Sequence, residues 1–150
     1  MLSVIHSDVL PFEYEKSKMW VEIALSNINS EKEDYTSINF VFDTGAPGIL
    51  LSREDFEDLG YGKLKPLKDT IIRGPSMKPV DARFYKIPDF KIVGTFCVHN
   101  PIVKVPNKAN KCRNLLGHRA INKRNFCVCY KDNWIYFERT DRMCLSNLTC

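Results

Sequence analysis

Asp43 is the residue whose surroundings most suggest chemistry. A strand-like run, residues 38–42, delivers its carboxylate into Thr44 and Gly45, and a second apolar run, residues 49–51, follows after Ala46-Pro47-Gly48. A lone ionisable group between two runs that read as core is costly unless its environment makes use of it. Gly45 permits positive φ and close backbone approach, and the Thr44 hydroxyl can tie the loop down. Taken alone, Asp-Thr-Gly also fits an ordinary Asx turn in which Asp43 caps its own backbone.

Sulfur and imidazole form the other candidate set. The six cysteines are Cys97, Cys112, Cys127, Cys129, Cys144 and Cys150, with His99 beside Cys97 in Cys-Val-His and a second cluster in Cys127-Val128-Cys129. Neither Cys-x-Cys nor Cys-x-His is a usual zinc spacing, and alternate strand residues simply share a face. No metal site is expected, and no cofactor. Met1–Pro11 has neither a basic start nor a long apolar stretch, so a secretory signal is not expected and the cysteines read as thiols in a cytoplasmic protein.

The elements that must position these groups are short. Residues 19–25 alternate with period two, as a half-buried strand does. Residues 27–35 read as a polar loop before the strand that ends in Asp43. Ser52-Arg53-Glu54-Asp55 has the form of a helix start, Phe56 and Leu59 share one face, and Gly60 is a natural stop. Gly74-Pro75-Ser76 marks a turn between residues 70–73 and 80–85, which predicts a projecting hairpin with Arg73 and Met77 flanking its tip. Residues 90–93 and 95–105 read as strands bent at Gly94, with Pro101 and Pro106 suggesting an edge. Leu115-Leu116-Gly117 breaks into a short helix over residues 118–123. Residues 126–130 and 134–138 form a last hairpin. Ahead of all this, Leu2 and Val4 suggest an edge strand followed by a loop.

Composition sets the frame. At 150 residues, 44% hydrophobic and 27% charged, the chain suits a single globular domain over 1–150 with its core at about residues 19–138. The net charge of +4 is spread out, which gives no support to nucleic-acid binding. No apolar run approaches the ~20 residues of a membrane span. Many short strands with two short helices make the fold class all-β.

The pattern apolar-apolar-Asp-Thr-Gly-Ala, then apolar-apolar-Ser, resembles the active-site loop of the retropepsin-like aspartic proteases. Asn114-Leu115-Leu116-Gly117 followed by a helix resembles that family's second signature, which braces the catalytic loop. The order of elements between them, short helix then flap hairpin then strands, is also similar. Many family members continue with Gly-Arg and pair that Arg with an acid just past the loop; here His118 follows Gly117, Arg119 comes one position late, and Ala46-Pro47-Gly48 offers no acid.

The resemblance implies an all-β acid-protease barrel with two short helices and an active site at a dimer axis. Two carboxylates would share one proton across a water, one acting as base and the other as proton donor to the peptide carbonyl. With a single Asp-Thr-Gly in the chain, Asp43 from each protomer of a homodimer would supply them, with Thr44, Gly45 and Ala46 completing the loop. Arg73, Gly74, Pro75, Ser76 and Met77 would form the flap, and Leu115, Leu116 and Gly117 the bracing step. The substrate would be a polypeptide. A binding or assembly module that keeps the fold without proteolysis is the alternative reading, and a thiol- or metal-dependent protein a weaker one.

Overall fold

The computed structural model describes residues 7–31, 34–94, 96–121 and 124–138. Leu2 and Val4, the end of the predicted helix over residues 118–123, and Cys144 and Cys150 lie outside them. In chain order the strands are β1 (Ser7–Pro11), β2 (Glu13–Glu15), β3 (Lys18–Asn27), β4 (Asp34–Phe42) and β5 (Ile49–Leu50). Helix α1 (Arg53–Asp58) and a 3-10 turn (Tyr61–Lys63) lead to β6 (Lys68–Ile72), β7 (Val80–Lys86), β8 (Phe90–Val93), β9 (Phe96–Val98) and β10 (Ile102–Pro106). Then come β11 (Leu115–Leu116), α2 (His118–Ile121), β12 (Phe126–Cys129) and β13 (Trp134–Glu138). The class is all-β, as the sequence predicts.

Among the described residues the strands form two open sheets. The larger runs β6-β7-β10-β5-β11-β4-β3-β8-β9, with β2 hairpinned onto β3, and the smaller runs β1-β13-β12. The expected barrel closure is therefore corrected: neither sheet joins its first strand to its last. The period-two alternation of β3 is real, with Met19, Val21, Ile23 and Leu25 all buried. They pack with Phe40, Leu51, Phe56 and Phe90 in one core that also receives Ile135 and Phe137 of the smaller sheet.

Three sequence expectations change. The loop expected ahead of residue 18 instead holds two strands, β1 paired with β13 and β2 turned back onto β3 by Lys16 and Ser17 in positive φ. The strand predicted over residues 95–105 is divided, because Asn100 takes φ 41 ahead of Pro101. Nor is β10 an edge: it sits between β7 and β5. Its prolines bracket the strand, where no ladder N–H is required, and their carbonyls accept instead, Pro101 from Ile87 N–H and Pro106 from Arg53 Nε.

Helix α1 forms where expected. Ser52 is its N-cap, accepting from Asp55 N–H at 3.1 Å, and Gly60 ends the segment in the left-handed region at φ 86. The Tyr61 hydroxyl donates to the Ser26 carbonyl. Burial, with Tyr35 nearby, raises that phenol above its ordinary range.

Candidate active site

Asp43 is the first residue after β4, and its position follows from a two-residue strand wedged between its neighbours. β11 runs parallel to β4, pairing Leu115 with Val41 and Leu116 with Phe42, and antiparallel to β5, pairing the same residues with Leu50 and Ile49. Parallel pairing places the C-terminal ends of β4 and β11 side by side. Asp43 and Gly117 leave the sheet at that shared end. Asp43 N–H donates to Leu116 O at 3.0 Å, and Val41 N–H donates to Asn114 O at 2.9 Å.

The loop that follows folds back on itself and onto the step. Gly45 N–H donates to Asp43 Oδ1 at 3.0 Å, so the Asx turn is present as local geometry. Ala46 N–H donates to Asp43 O at 3.1 Å. A Cβ on Gly45 would lie 3.2 Å from Asp43 Oδ1, so a side chain there would press on the carboxylate. From the step, Gly117 N–H donates to Gly48 O and His118 N–H to Ala46 O, each at 3.0 Å. A Cβ on Gly117 would collide with both of those carbonyl oxygens. Glycine is required at 117 for close approach, since its φ is not in the left-handed region.

The absent Gly-Arg pair has a replacement in His118, whose Nδ1 lies 3.0 Å from the same Ala46 oxygen that accepts its backbone N–H. When Nδ1 carries the proton, that oxygen accepts twice from one residue. The loop is thus tied by hydrogen bonds to a carbonyl rather than by an ion pair.

Asn114 is the residue whose role the sequence reading missed. It is buried, and its Oδ1 accepts from Ser52 N–H at 2.7 Å. Its Nδ2 donates to Asn39 O at 3.1 Å and to Asp55 Oδ2 at 2.6 Å. One side chain therefore joins β4, the start of α1 and β11, with the amide orientation fixed by its partners. The available signal was a polar residue heading an apolar step that must be buried on both sides.

The structure thus brings Asp43, Thr44, Gly45 and Ala46 together with Leu115, Leu116 and Gly117. Asp43 is half-buried, while Thr44 and Gly45 are exposed. The predicted flap residues are elsewhere, at the turn of the β6–β7 hairpin, which joins the sheet through β10. Arg73, Pro75, Ser76 and Met77 are exposed, Ser76 takes φ 59, and Met77 N–H donates to Gly74 O at a long 3.4 Å.

Of the described cysteines, Cys112, Cys127 and Cys129 are free, whereas Cys97 is disulfide-bonded, which corrects its reading as a thiol. His99 Nδ1 lies 2.8 Å from Asp89 Oδ2. Burial alone would raise the Asp89 carboxyl, but His99 and the Asn100 N–H hold it below its ordinary value. Among the described residues no helix is long and apolar enough to cross a membrane.

Comparison with known proteins agrees with this geometry. The aspartyl protease family model matches residues 27–119, a stretch that includes both the Asp43 loop and the Gly117 step. The crystal structure of a retropepsin-like aspartic protease from Rickettsia conorii is similar with a TM-score of 0.58, at 19% identity over 89% of this chain and 93% of that one. At that identity the likeness speaks for the fold. No curated protein matches the sequence. The chain belongs to the aspartyl protease family and has a retropepsin-like fold.

Proposed function

We propose that this protein is an aspartic endopeptidase that hydrolyses peptide bonds with a water held between two Asp43 carboxylates, one from each chain of a homodimer. The observation that carries the reading is the seating of Asp43: its backbone is fixed by Leu116 O, and its loop by Gly117 and His118. A carboxylate held this way is pre-positioned, so little reorganisation is required when charge moves in the transition state.

Each chain brings one Asp-Thr-Gly. General acid–base hydrolysis needs one carboxylate to take a proton from water and another to give one to the carbonyl oxygen. A two-fold axis beside Asp43 supplies the second group from an identical loop. Thr44 and Gly45 are both exposed, which supports a role for them in contacting the second chain and the substrate backbone. The β6–β7 hairpin, with Arg73, Gly74, Pro75, Ser76 and Met77 at its tip, would close over a bound polypeptide, add main-chain hydrogen bonds and exclude water.

Asp43→Asn tests this. The amide preserves shape and the turn's acceptor but cannot cycle a proton, so hydrolysis should fall by at least ~10²–10⁴ while fold and association persist. Full activity in that variant on any cleaved peptide would refute the proposal. A fall in specific activity on dilution is the accompanying expectation, since a divided site exists only in the dimer.

A further inference from the structure

One line of register partners crosses the larger sheet from β3 to β6. Its apolar half is Trp20, Val41, Leu115 and Leu50. Lys104, Phe84 and Lys68 continue it through β10, β7 and β6. Residues directly opposite one another share a face of a pleated sheet. This face is turned away from the core, because the alternating line through Phe42, Leu116, Ile49 and Val103 is the one that joins it. Val41 is nonetheless buried, between a half-buried Trp20 and a half-buried Leu115.

Asp43 belongs to the same face. Its N–H and that of Val41 both bond to β11, so the alternation of β4 runs on through it. Beside Asp43, on the way to β10, Gly117 N–H bonds to Gly48 O. A Cβ on Gly48 would meet nothing within 4 Å, so the floor there is open.

The far end of the line is cationic. Lys68 Nζ lies 5.3 Å and Lys104 Nζ 5.5 Å from the centroid of the Phe84 ring, one from each neighbouring strand. Among the described residues neither ammonium is ion-paired. Asp69, next to Lys68 in sequence, falls on the other face, where it pairs with Arg83 at 3.0 Å. A ring face attracts an ammonium but leaves its N–H donors without an acceptor. Two such groups gathered on one ring complement a carboxylate.

We propose that Lys104 and Lys68 are specificity-determining residues that select an acidic side chain in the polypeptide substrate, two or three residues from the bond to be cut. The proposal rests on the proteolytic reading of Asp43. Neighbouring strands are ~4.8 Å apart, which puts β10 about 14 Å from β4. An extended peptide covers that span in about four residues at ~3.3 Å each. The four-carbon lysine stem shortens the interval, since its head can swing from the Phe84 ring towards a ligand. An acid further along the peptide would pass beyond the reach of both lysines, and one nearer the cut would lie over the apolar half of the line.

The test measures kcat/KM on peptides that place Glu, Gln or Lys at each of the four positions on either side of an apolar pair. Wild type should favour Glu over Gln by about tenfold at a position two or three from the cut, and disfavour Lys there. In Lys68→Gln/Lys104→Gln the Glu-to-Gln ratio should fall to about one, and in Lys104→Glu the preference should turn to Lys. Each ratio is taken within one enzyme, so a general loss of activity cancels from it. A wild-type ratio near one at every position, or a ratio that survives in the double variant, would overturn the proposal. Binding of the same peptides to Asp43→Asn, followed by fluorescence anisotropy, separates the two readings. Glu peptides held about tenfold tighter than Gln peptides, with no cleavage by wild type, would remove the proteolytic reading and keep the lysine pair. Cleavage without preference at any position would do the reverse, and neither cleavage nor preferential binding would remove both.

Discussion

The Asp43 loop and the β6–β7 hairpin are both turns after strands, yet they are held in different ways. The loop is bound by segments about seventy residues away in sequence: Asp43 by Leu116, Gly48 by Gly117, Ala46 by His118. The hairpin turn is held by its own neighbours, through a ladder from Lys68 opposite Phe84 to Ile72 opposite Val80 and one long bond across Gly74–Met77. The first can shift only if the sheet around β11 shifts. The second can move on its own strands at little cost. The proposed function would call for those two kinds of support, one for a carboxylate that holds its place and one for a lid that opens.

The comparison can be broken most severely at Gly117. In Gly117→Ala the new methyl meets the carbonyl oxygens of Ala46 and Gly48, both backbone, so the loop itself must move. We expect a loss of about 3 kcal/mol or more in urea unfolding, and activity lowered by ~10² or more, since small misplacements of reacting groups are that costly. A Gly117→Ala protein with wild-type midpoint and turnover would show that the step does not position Asp43.

Asn114→Ala comes next. It leaves the buried Ser52 N–H without its acceptor and removes donors to Asn39 O and Asp55. Unsatisfied buried groups cost ~1–3 kcal/mol each, and relaxation here should hold the total to about 2–3 kcal/mol. Chemical denaturation measures this, with an unchanged m-value as the sign that the fold is the same. A cost below about 0.5 kcal/mol would mean that Asn114 is not part of the brace.

How far the sequence carries these arguments depends on whether a group's partner is local. The α1 cap was legible because Ser52 and Asp55 are three apart, and the hairpin because Gly74-Pro75-Ser76 marks its own turn. Asp43 and Gly117 were legible as two motifs, and their contact was implied by the family they resemble. The pairing of β1 with β13 was not legible, since nothing near Ser7–Pro11 specifies a partner some 127 residues further on. The interior place of β10 was hidden by prolines that look like edge markers until both are seen at strand ends. Asn114 was hidden because the value of a buried amide lies in three partners from three segments.

His118 sharpens the comparison at smaller scale. Its backbone N–H and ring both reach Ala46 O, and only the ring bond depends on the side chain. His118→Ala should therefore cost about 0.5–1 kcal/mol, the net worth of one such bond, and lower activity less than tenfold. Loss of activity as deep as that of Gly117→Ala, measured on the same peptide, would show that the imidazole and not the backbone holds the loop.

The smallest expected effect on stability is at the hairpin tip. Met77 is 41% exposed and lies in a turn with few contacts to lose, so Met77→Ala should shift unfolding by no more than about 0.5 kcal/mol. If the hairpin is a lid, the same change should still alter KM or kcat, because the side chain would meet substrate on closure. Amide exchange gives the matching readout. The N–H groups of Asp43, Gly117 and His118, each bonded to a carbonyl at 3.0 Å, should exchange slowly with or without ligand. Those of residues 73–79 should exchange quickly in the free protein and slow when a peptide-like inhibitor binds, since the ligand supplies main-chain partners and excludes water. A hairpin profile unchanged at saturating inhibitor would leave the tip an ordinary surface turn, and the contrast between the two regions would then reflect packing alone.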